Sequence, residues 1–218
     1  QPTNCDDGDP NTIDYCDNGI CVNESQNIMI NEIRIDESGA DNNEYFELIG
    51  PPGMMLDDYY YIVIGDGPGG SGVLEALVNL DGLSIQNDGL LLVGEGTMNP
   101  TLAIPDFITS LNFENSDNVT HMLVYGFYSS LGDDLDTNDD GILDVIQFEG
   151  IYDSVALVES IPWGPAGGDL IYSENTVGPD GSFVPSHIYR CDDNTWVIGE
   201  FTINLDTPGE SNSSSCPE

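Results

Sequence analysis

Short apolar runs separated by turn residues dominate the chain from residue 28 onward. Most are four to nine residues long and rich in Ile, Val, Tyr and Phe, which favour strands. No stretch keeps a convincing helical period over eleven residues, although the run at 73–80 is ambiguous. The pattern predicts an all-β fold, and its regular short strands favour a β-sandwich. The predicted strands lie at residues 28–35, 44–49, 59–64, 73–80, 90–93, 119–127, 154–158, 169–172 and 196–203.

Residues 1–26 differ from the rest, because they hold three of the five cysteines and few large apolar side chains. We expect a small disulfide-held N-terminal arm there and one sandwich domain over residues 27–218. The cysteines cluster at the two ends of the chain, and the 169 residues between Cys21 and Cys191 contain no cysteine. We expect a Cys191–Cys216 disulfide and one bond within the arm. The odd number leaves one thiol of Cys5, Cys16 and Cys21 free, or paired with another chain.

The charge balance is extreme, with 40 Asp and Glu against 2 Lys and Arg and a net charge of −38. Such a chain has no basic patch for nucleic acid or for an anionic membrane surface. No apolar run approaches the roughly 20 residues that a membrane-spanning helix needs. High salt or bound divalent cations make this charge tolerable. Both conditions indicate a secreted or cell-surface protein in an extracellular setting.

Several segments resemble the lamin-tail domain, in particular its secreted bacterial form with long acidic insertions. They are "INEIRID", "NEYFELIGPPGMMLDDYYYIVIGD", "GLSIQNDGLLLVGEG", "GDDLDTNDDGILD" with "YDSVALVES", and "RCDDNTWVIGEFTINLDTPGESN". The resemblance covers roughly residues 28–212. It implies an immunoglobulin-like β-sandwich of the lamin-tail type, with long acidic loops, that has no catalytic activity and serves as a binding or assembly module.

An acidic loop near residues 132–147 carries the clearest chemical signal. The segment "DDLDTNDDGILD" at 133–144 contains six aspartates. Oxygen-bearing side chains alternate in it and a glycine follows at the sixth position, as in calcium loops of the EF-hand type. The twelfth position is Gln147 instead of Glu, so we expect a shortened loop without flanking helices. The predicted calcium ligands are Asp136, Asn138, Asp140, Asp144 and the carbonyl of Ile142, whose side chain we expect to point away from the ion and pack.

Other readings of the acidic segments remain open. The 136–144 loop could be a solvated acidic turn, and magnesium suits it less than calcium because magnesium demands a compact octahedral shell. A second calcium candidate in the arm consists of Asp7, Asp9, Asn11 and Asp14. Asx turns between disulfides are the favoured interpretation of that segment. The segment also resembles Cys-rich extracellular repeats, with Asn11 standing where a fourth cysteine is usual.

Motifs for catalysis are missing from the sequence. There is no His-x-x-x-His pair and no G-x-S-x-G elbow, and the Gly-rich "GDGPGGSG" at 65–72 is followed by no Lys. We expect His121 to be a surface or cleft residue of a strand, Trp196 to lie in the core, and Arg34 and Arg190 to anchor ion pairs. The role of Trp163 stays open between packing and an exposed contact. Possible N-glycosylation sites are Asn23, Asn118 and Asn212.

The sequence thus predicts a non-enzymatic secreted structural protein whose β-sandwich is stabilised by calcium. We expect it to self-assemble into an extracellular fibre, filament or surface matrix as a homo-oligomer. The N-terminal arm, the strand edges or the odd cysteine would make the contacts. The alternative is a polysaccharide- or receptor-binding module of a larger secreted protein. Exposed aromatic residues would then carry binding, with Tyr59, Tyr60, Tyr61 and Trp163 as candidates.

Overall fold

The computed structural model describes residues 4–6, 12–25, 27–68, 70–159, 170–202 and 206–217. Within this part the chain forms thirteen strands and a short 3-10 helix, Asn212–Ser214. The strands are β1 Thr12–Asp17, β2 Ile20–Ser25, β3 Met29–Arg34, β4 Tyr45–Ile49, β5 Tyr59–Gly67, β6 Gly70–Asn79, β7 Leu90–Gly94, β8 Phe107–Ile108, β9 Val119–Tyr125, β10 Gly150–Leu157, β11 Thr176–Val177, β12 His187–Arg190 and β13 Trp196–Ile198.

The strands are arranged in three sheets. β1 and β2 form a separate antiparallel hairpin near the N-terminus. A five-stranded sheet has the order β11-β10-β9-β5-β6, and a six-stranded sheet has the order β13-β12-β3-β4-β7-β8. All pairs are antiparallel except β10 with β11 and β7 with β8. Each parallel pair includes one strand of only two residues, β8 or β11, so the sheets are essentially antiparallel.

The two large sheets pack face to face around one apolar core, which confirms the predicted all-β sandwich. Phe46 of β4 stacks on Tyr61 of β5 with ring centroids 3.7 Å apart and an interplanar angle of 5°. The core between them is built from the inward-facing residues of both sheets. β7 is buried along its whole length, as its continuous apolar sequence predicts. The fold therefore matches the hydrophobic pattern of the chain.

A second apolar cluster covers the outer face of the five-stranded sheet. Ile62 and Ile64 of β5 and Met122 and Val124 of β9 point away from the sandwich core into this cluster. They are buried because the long β9–β10 connection folds back over them. The continuous apolar run of β5 thus has a partner on each face, which explains why it does not alternate with polar residues.

Several elements differ from the predicted strands. Among the described residues of the run at 196–203, only Trp196–Ile198 form a strand, and the described residues of 169–172 form none. The hairpin β1–β2 and the short strands β8, β11 and β12 were not predicted. The turn of the β1–β2 hairpin is Asn18-Gly19, with φ angles of 49° and 84°. This dipeptide favours tight hairpins. In the described part, no helix is long and apolar enough to cross a membrane.

Candidate calcium loop and buried polar anchor

The acidic loop lies against the edge of the five-stranded sheet. Leu74 of β6 donates its N–H to the carbonyl of Asp133 at 2.9 Å, and Leu135 donates to the carbonyl of Gly72 at 2.9 Å. Gly72 has a φ of 89°, and a Cβ there would lie 2.5 Å from the Cβ of Asp136. Only glycine permits this approach. The loop thus continues the sheet beyond its edge strand.

Apolar side chains fix the loop to the outer face of that sheet. Leu135 and Phe148 are buried in the outer cluster, and Leu143 and Val145 pack against it. Leu135 is adjacent to the first expected calcium ligand, and Leu143 and Val145 flank the last one. The loop's backbone is therefore held by packing on both sides of the acidic segment.

Asp136 is the buried centre of the loop, with an exposed fraction of 0%. Its Oδ1 accepts the N–H of Asp140 at 3.2 Å, and its Oδ2 accepts the N–H of Gly141 at 2.9 Å. The hydroxyl of Tyr172 donates to the same Oδ2 at 2.8 Å. Gly141 takes a φ of 86°, which makes the sharp bend. The carboxylate thereby closes the loop on itself and ties it to the segment before β11.

The other expected ligands lie at the surface. Asn138 Oδ1 accepts the N–H of Asp140 at 3.1 Å, and Asp140 Oδ1 accepts the N–H of Ile142 at 3.0 Å. Asp144 accepts a hydrogen bond from Thr137 Oγ1 at 2.9 Å. The packing expected for the Ile142 side chain is wrong, because Ile142 is 69% exposed. Ile142 can contribute only its carbonyl oxygen to an ion.

The donor chemistry of the loop fits calcium. Two carboxylates, an amide oxygen and a carbonyl at alternating positions, with a further carboxylate at Asp144, are ligands that calcium accepts in a flexible geometry. The carboxylates of Asp136, Asp140 and Asp144 are not gathered within 4.8 Å of one another, as those of a tight three-residue site would be. A bound ion would draw the exposed Asn138 and Asp140 toward the fixed Asp136.

The arm candidate is mostly beyond what the structure describes. Asp7, Asp9 and Asn11 lie outside the described residues. Asp14 is in β1, half-buried, and lies opposite Asn23 of β2. Of the four arm candidates, the structure thus places only Asp14.

Glu32, His187 and Asp206 form the one group of described residues that brings three potential metal ligands within 4.8 Å. This group does not fit a metal. The Arg34 guanidinium donates to both oxygens of Asp206, with Nη2 to Oδ1 at 2.6 Å. A cation already neutralises that carboxylate, and a metal ion would be repelled by the same guanidinium.

Hydrogen bonds also fill the Glu32 carboxylate. It lies 2.8 Å from His187 Nε2 and accepts the N–H of Thr207 at 3.1 Å and the hydroxyl of Tyr45. Burial raises the pKa of Glu32, but these bonds, with that of His187 first, outweigh it and leave the pKa below its ordinary value. Glu32 and Asp206 thus anchor the C-terminal segment to the six-stranded sheet.

A second buried carboxyl extends this anchor. Glu47 accepts hydrogen bonds from Asn31 Nδ2 at 2.7 Å and from the backbone N–H of Gly209 at 2.6 Å. Burial raises its pKa to about 8, and the nearby charge of Glu32 adds to the rise. Asn212 Nδ2 donates to the carbonyls of Asn31 and Arg190 at 3.2 and 3.1 Å. The segment from 206 to 212 is therefore built into the sandwich.

The two arginines form the ion pairs that the sequence predicts. Arg34 pairs with Asp206, and Arg190 pairs with Asp153. Arg190 also lies over the ring of Trp196, 4.4 Å from its centroid. Trp196, expected in the core, is half-buried and packs against the margin of the core. In the sequence, only the scarcity of basic residues singled out Arg34 and Arg190 as ion-pair candidates.

His121 does not lie where the sequence suggested. It is fully buried between the sheets, with Nδ1 2.8 Å from the hydroxyl of Tyr61. Burial lowers its pKa to about 3, so it is neutral at physiological pH. The expected surface or cleft position is wrong. A neutral, core-facing histidine supplies packing and one hydrogen bond.

Four cysteines form the disulfides Cys5–Cys21 and Cys191–Cys216, and Cys16 is exposed with a free thiol. Both the expected C-terminal bond and one bond within the arm are thus present. Among the possible glycosylation sites, Asn23 is exposed, but Asn118 and Asn212 are buried. Only Asn23 offers its amide nitrogen at the surface of the folded chain.

Two of the four aromatic residues expected for sugar binding are buried. Tyr59 and Tyr61 are buried in the core, and Tyr60 is half-buried against the outer cluster. Trp163 lies outside the described residues. The surface platform that the alternative function requires is therefore not formed by these tyrosines.

Comparison with known proteins returns no match to any family model, curated protein or solved structure. The resemblance to the lamin-tail domain stays a prediction, whereas the all-β sandwich is established by the structure of this chain.

Proposed function

We propose that this protein is a non-enzymatic structural module, secreted or held at the cell surface, whose β-sandwich is stabilised by calcium in the 136–144 loop. The observation that carries the proposal is the position of Asp136. It is fully buried, and Leu135, the residue before it, is buried in the cluster on the outer sheet face. An ion that orders the loop would therefore also stabilise the packing of the loop on the outer face of the five-stranded sheet.

The environment of the chain supports the same conclusion. Two disulfides indicate an oxidising, non-cytoplasmic setting. A net charge of −38 opposes folding by self-repulsion, which a bound divalent cation reduces locally. Within the loop, Asp136 would hold the ion at the buried end, and Asn138 and Asp140 would close over it from solvent.

Thermal unfolding in metal-free buffer, with and without added calcium, tests the loop. Saturating calcium at 100 times its dissociation constant adds about 2.7 kcal/mol, which raises Tm by roughly 5–11 °C in a chain of this size. Magnesium should raise Tm less. Asp140→Asn should weaken the calcium effect, and Asp192→Asn, which removes an equal charge at an exposed site, should preserve it. A Tm that calcium leaves unchanged would refute calcium stabilisation.

We further propose that the module assembles with copies of itself through the N-terminal arm. The exposed thiol of Cys16 supports this contact. The strand edges support it less, because β8, β11 and β13 have only two or three residues. The acidic loop also pairs with part of β6. Short or covered edges resist edge-to-edge association.

Light scattering after size-exclusion chromatography measures this assembly directly. We expect oligomers in calcium without reductant and a shift toward monomer when Cys16→Ser is introduced. A monomer under every combination of calcium and reductant would refute self-assembly while leaving the calcium result intact. Binding to a glycan array would instead favour the polysaccharide-binding alternative.

A further inference from the structure

We infer that Cys16, Cys21 and Cys5 form a thiol–disulfide exchange site, in which Cys21 bonds to either Cys5 or Cys16. The exchange would take place between the β1–β2 hairpin and the residue Cys5 that precedes it, and it requires neither calcium binding nor self-assembly. It rests on three observations: the strand register, the position of the disulfide, and the exposed thiol.

The register places Cys16 of β1 directly opposite Cys21 of β2. Directly opposed residues of antiparallel strands project from the same face. Asp17 and Ile20 flank the two-residue turn and form its hydrogen-bonded pair, so the alternation of the ladder makes Cys16 and Cys21 a non-hydrogen-bonded pair. Such pairs have Cα atoms about 4.5 Å apart, within the roughly 4.4–6.8 Å that a disulfide spans.

Cys21 is already oxidised, because it is bonded to Cys5 with a Cα–Cα distance of 5.1 Å. The free thiol of Cys16 is therefore the neighbour of a disulfide sulfur. Since Cys16 is exposed, its sulfur is accessible from solvent. Both requirements for exchange, an accessible thiol and an adjacent disulfide, are met across the two strands of the hairpin.

The exchange balances without an oxidant. The Cys16 thiolate attacks Cys21 Sγ, a Cys16–Cys21 bond forms, and the Cys5–Cys21 bond breaks. Cys5 leaves as a thiolate and takes up one proton, which replaces the proton that Cys16 lost. The number of disulfides and of free thiols stays the same.

The two states differ in what the hairpin presents. With Cys5–Cys21 closed, the segment around residue 5 is tied to β2 and the thiol sits on β1. With Cys16–Cys21 closed, the two strands are stapled to each other and the segment around residue 5 carries the free thiol. A partner that reacts with a thiol would thus meet it either on β1 or at residue 5.

Differential alkylation of the wild-type protein tests the exchange. The protein is incubated at pH 8, quenched in acid, labelled at its free thiol and digested without reduction, and the labelled peptides are identified by mass spectrometry. Among chains that carry no intermolecular disulfide, we expect one label per chain, distributed between Cys16 and Cys5. Label confined to Cys16 after hours at pH 8 would overturn the inference.

Two variants sharpen the result. Cys5→Ser should form the Cys16–Cys21 disulfide, so the intact protein carries no free thiol. Cys16→Ser should show only Cys5–Cys21 and serves as the control for labelling. Two free thiols in Cys5→Ser, in a preparation whose Cys191–Cys216 bond is closed, would also overturn the inference. The closed C-terminal bond shows in each case that the protein was oxidised.

Discussion

Arg190 and Asp153 lie on facing sheets and form a buried ion pair that joins them. The same two side chains bond both backbone groups of Ile30. Asp153 Oδ2 accepts its N–H at 2.8 Å, and Arg190 Nε donates to its carbonyl at 2.9 Å. Ile30 precedes an irregularity in the β3–β4 register, where ladder bonds are interrupted. The ion pair therefore supplies hydrogen-bond partners at the point where β3 departs from its ladder.

Replacing Asp153 with Ala should lower the free energy of unfolding by about 3–5 kcal/mol, because it leaves the Arg190 charge buried without its partner. It also leaves the Ile30 N–H unpaired. Denaturant unfolding followed by circular dichroism measures the change.

Removing any carboxylate from so acidic a chain reduces repulsion, so a charge-matched control is needed. Glu210→Ala removes one negative charge at an exposed position and should leave stability unchanged or slightly higher. If Asp153→Ala is no less stable than Glu210→Ala, the ion pair does not hold the sheets together.

The sandwich was predictable because its central strands are apolar runs of ordinary length. β3, β4, β5, β7 and β9 all coincide with such runs. β12, with the sequence "HIYR", carries two polar side chains in four residues and gives no periodic signal. It is a strand because Arg190 and His187 find buried partners in distant segments, which tertiary contacts decide and local propensity does not.

The polar anchor was not predictable for a related reason. Glu32 bonds Thr207, 175 residues away, and Asp136 bonds Tyr172, 36 residues away. With 40 acidic residues, composition cannot tell which carboxylates are buried. The alternation of oxygen donors around Gly141 is local and therefore visible. The burial of Asp136 beneath a sheet-covering loop depends on contacts that only the fold creates.

Leu135→Ala should weaken calcium binding although Leu135 contributes no ligand atom. Leu135 is fully buried in the outer cluster, so truncation should cost about 2–5 kcal/mol of stability and loosen the loop next to Asp136. The calcium dissociation constant, measured by isothermal titration, should rise.

Ile142→Ala is the matched control, because it lies in the same loop with its side chain 69% exposed. It should leave stability within about 0.5 kcal/mol and calcium affinity unchanged. Equal effects of the two substitutions would mean that packing on the sheet does not support the loop.

Stability should fall as pH rises from about 5 to about 8 in metal-free buffer. Burial raises the pKa of Glu44 and of Glu47 to about 8 and that of Glu75 to about 7, from an ordinary value of 4.5. At a pH between 4.5 and these raised pKa values, the three carboxyl groups are deprotonated in the unfolded chain but protonated in the folded chain. Folding therefore binds protons, and stability decreases with pH in this window.

Melting temperatures at constant ionic strength measure this dependence. A loss of 1 kcal/mol lowers Tm by roughly 2–4 °C in a chain of this size, and we expect a decrease at least that large between pH 5 and pH 8. Glu75→Gln should reduce the decrease, because it removes a carboxylate with an unpaired buried oxygen among acidic neighbours. A Tm that is level or rises over this range would contradict protonation of these carboxyls in the folded state.

Arg34→Lys should destabilise the C-terminal segment even though it keeps the charge. The Arg34 guanidinium donates to both Asp206 oxygens and to the carbonyls of Asp36, Glu200 and Phe201. An ammonium group has three donors and no planar fork, so it leaves buried acceptors unpaired, at about 1–3 kcal/mol for each.

Hydrogen exchange at the amides of Thr207 and Gly209 reports the effect, because these amides bond to Glu32 and Glu47 in the same anchor. We expect their exchange to accelerate more than that of the β5–β9 amides. If both sets accelerate equally, Arg34 supports the whole sandwich instead of this segment.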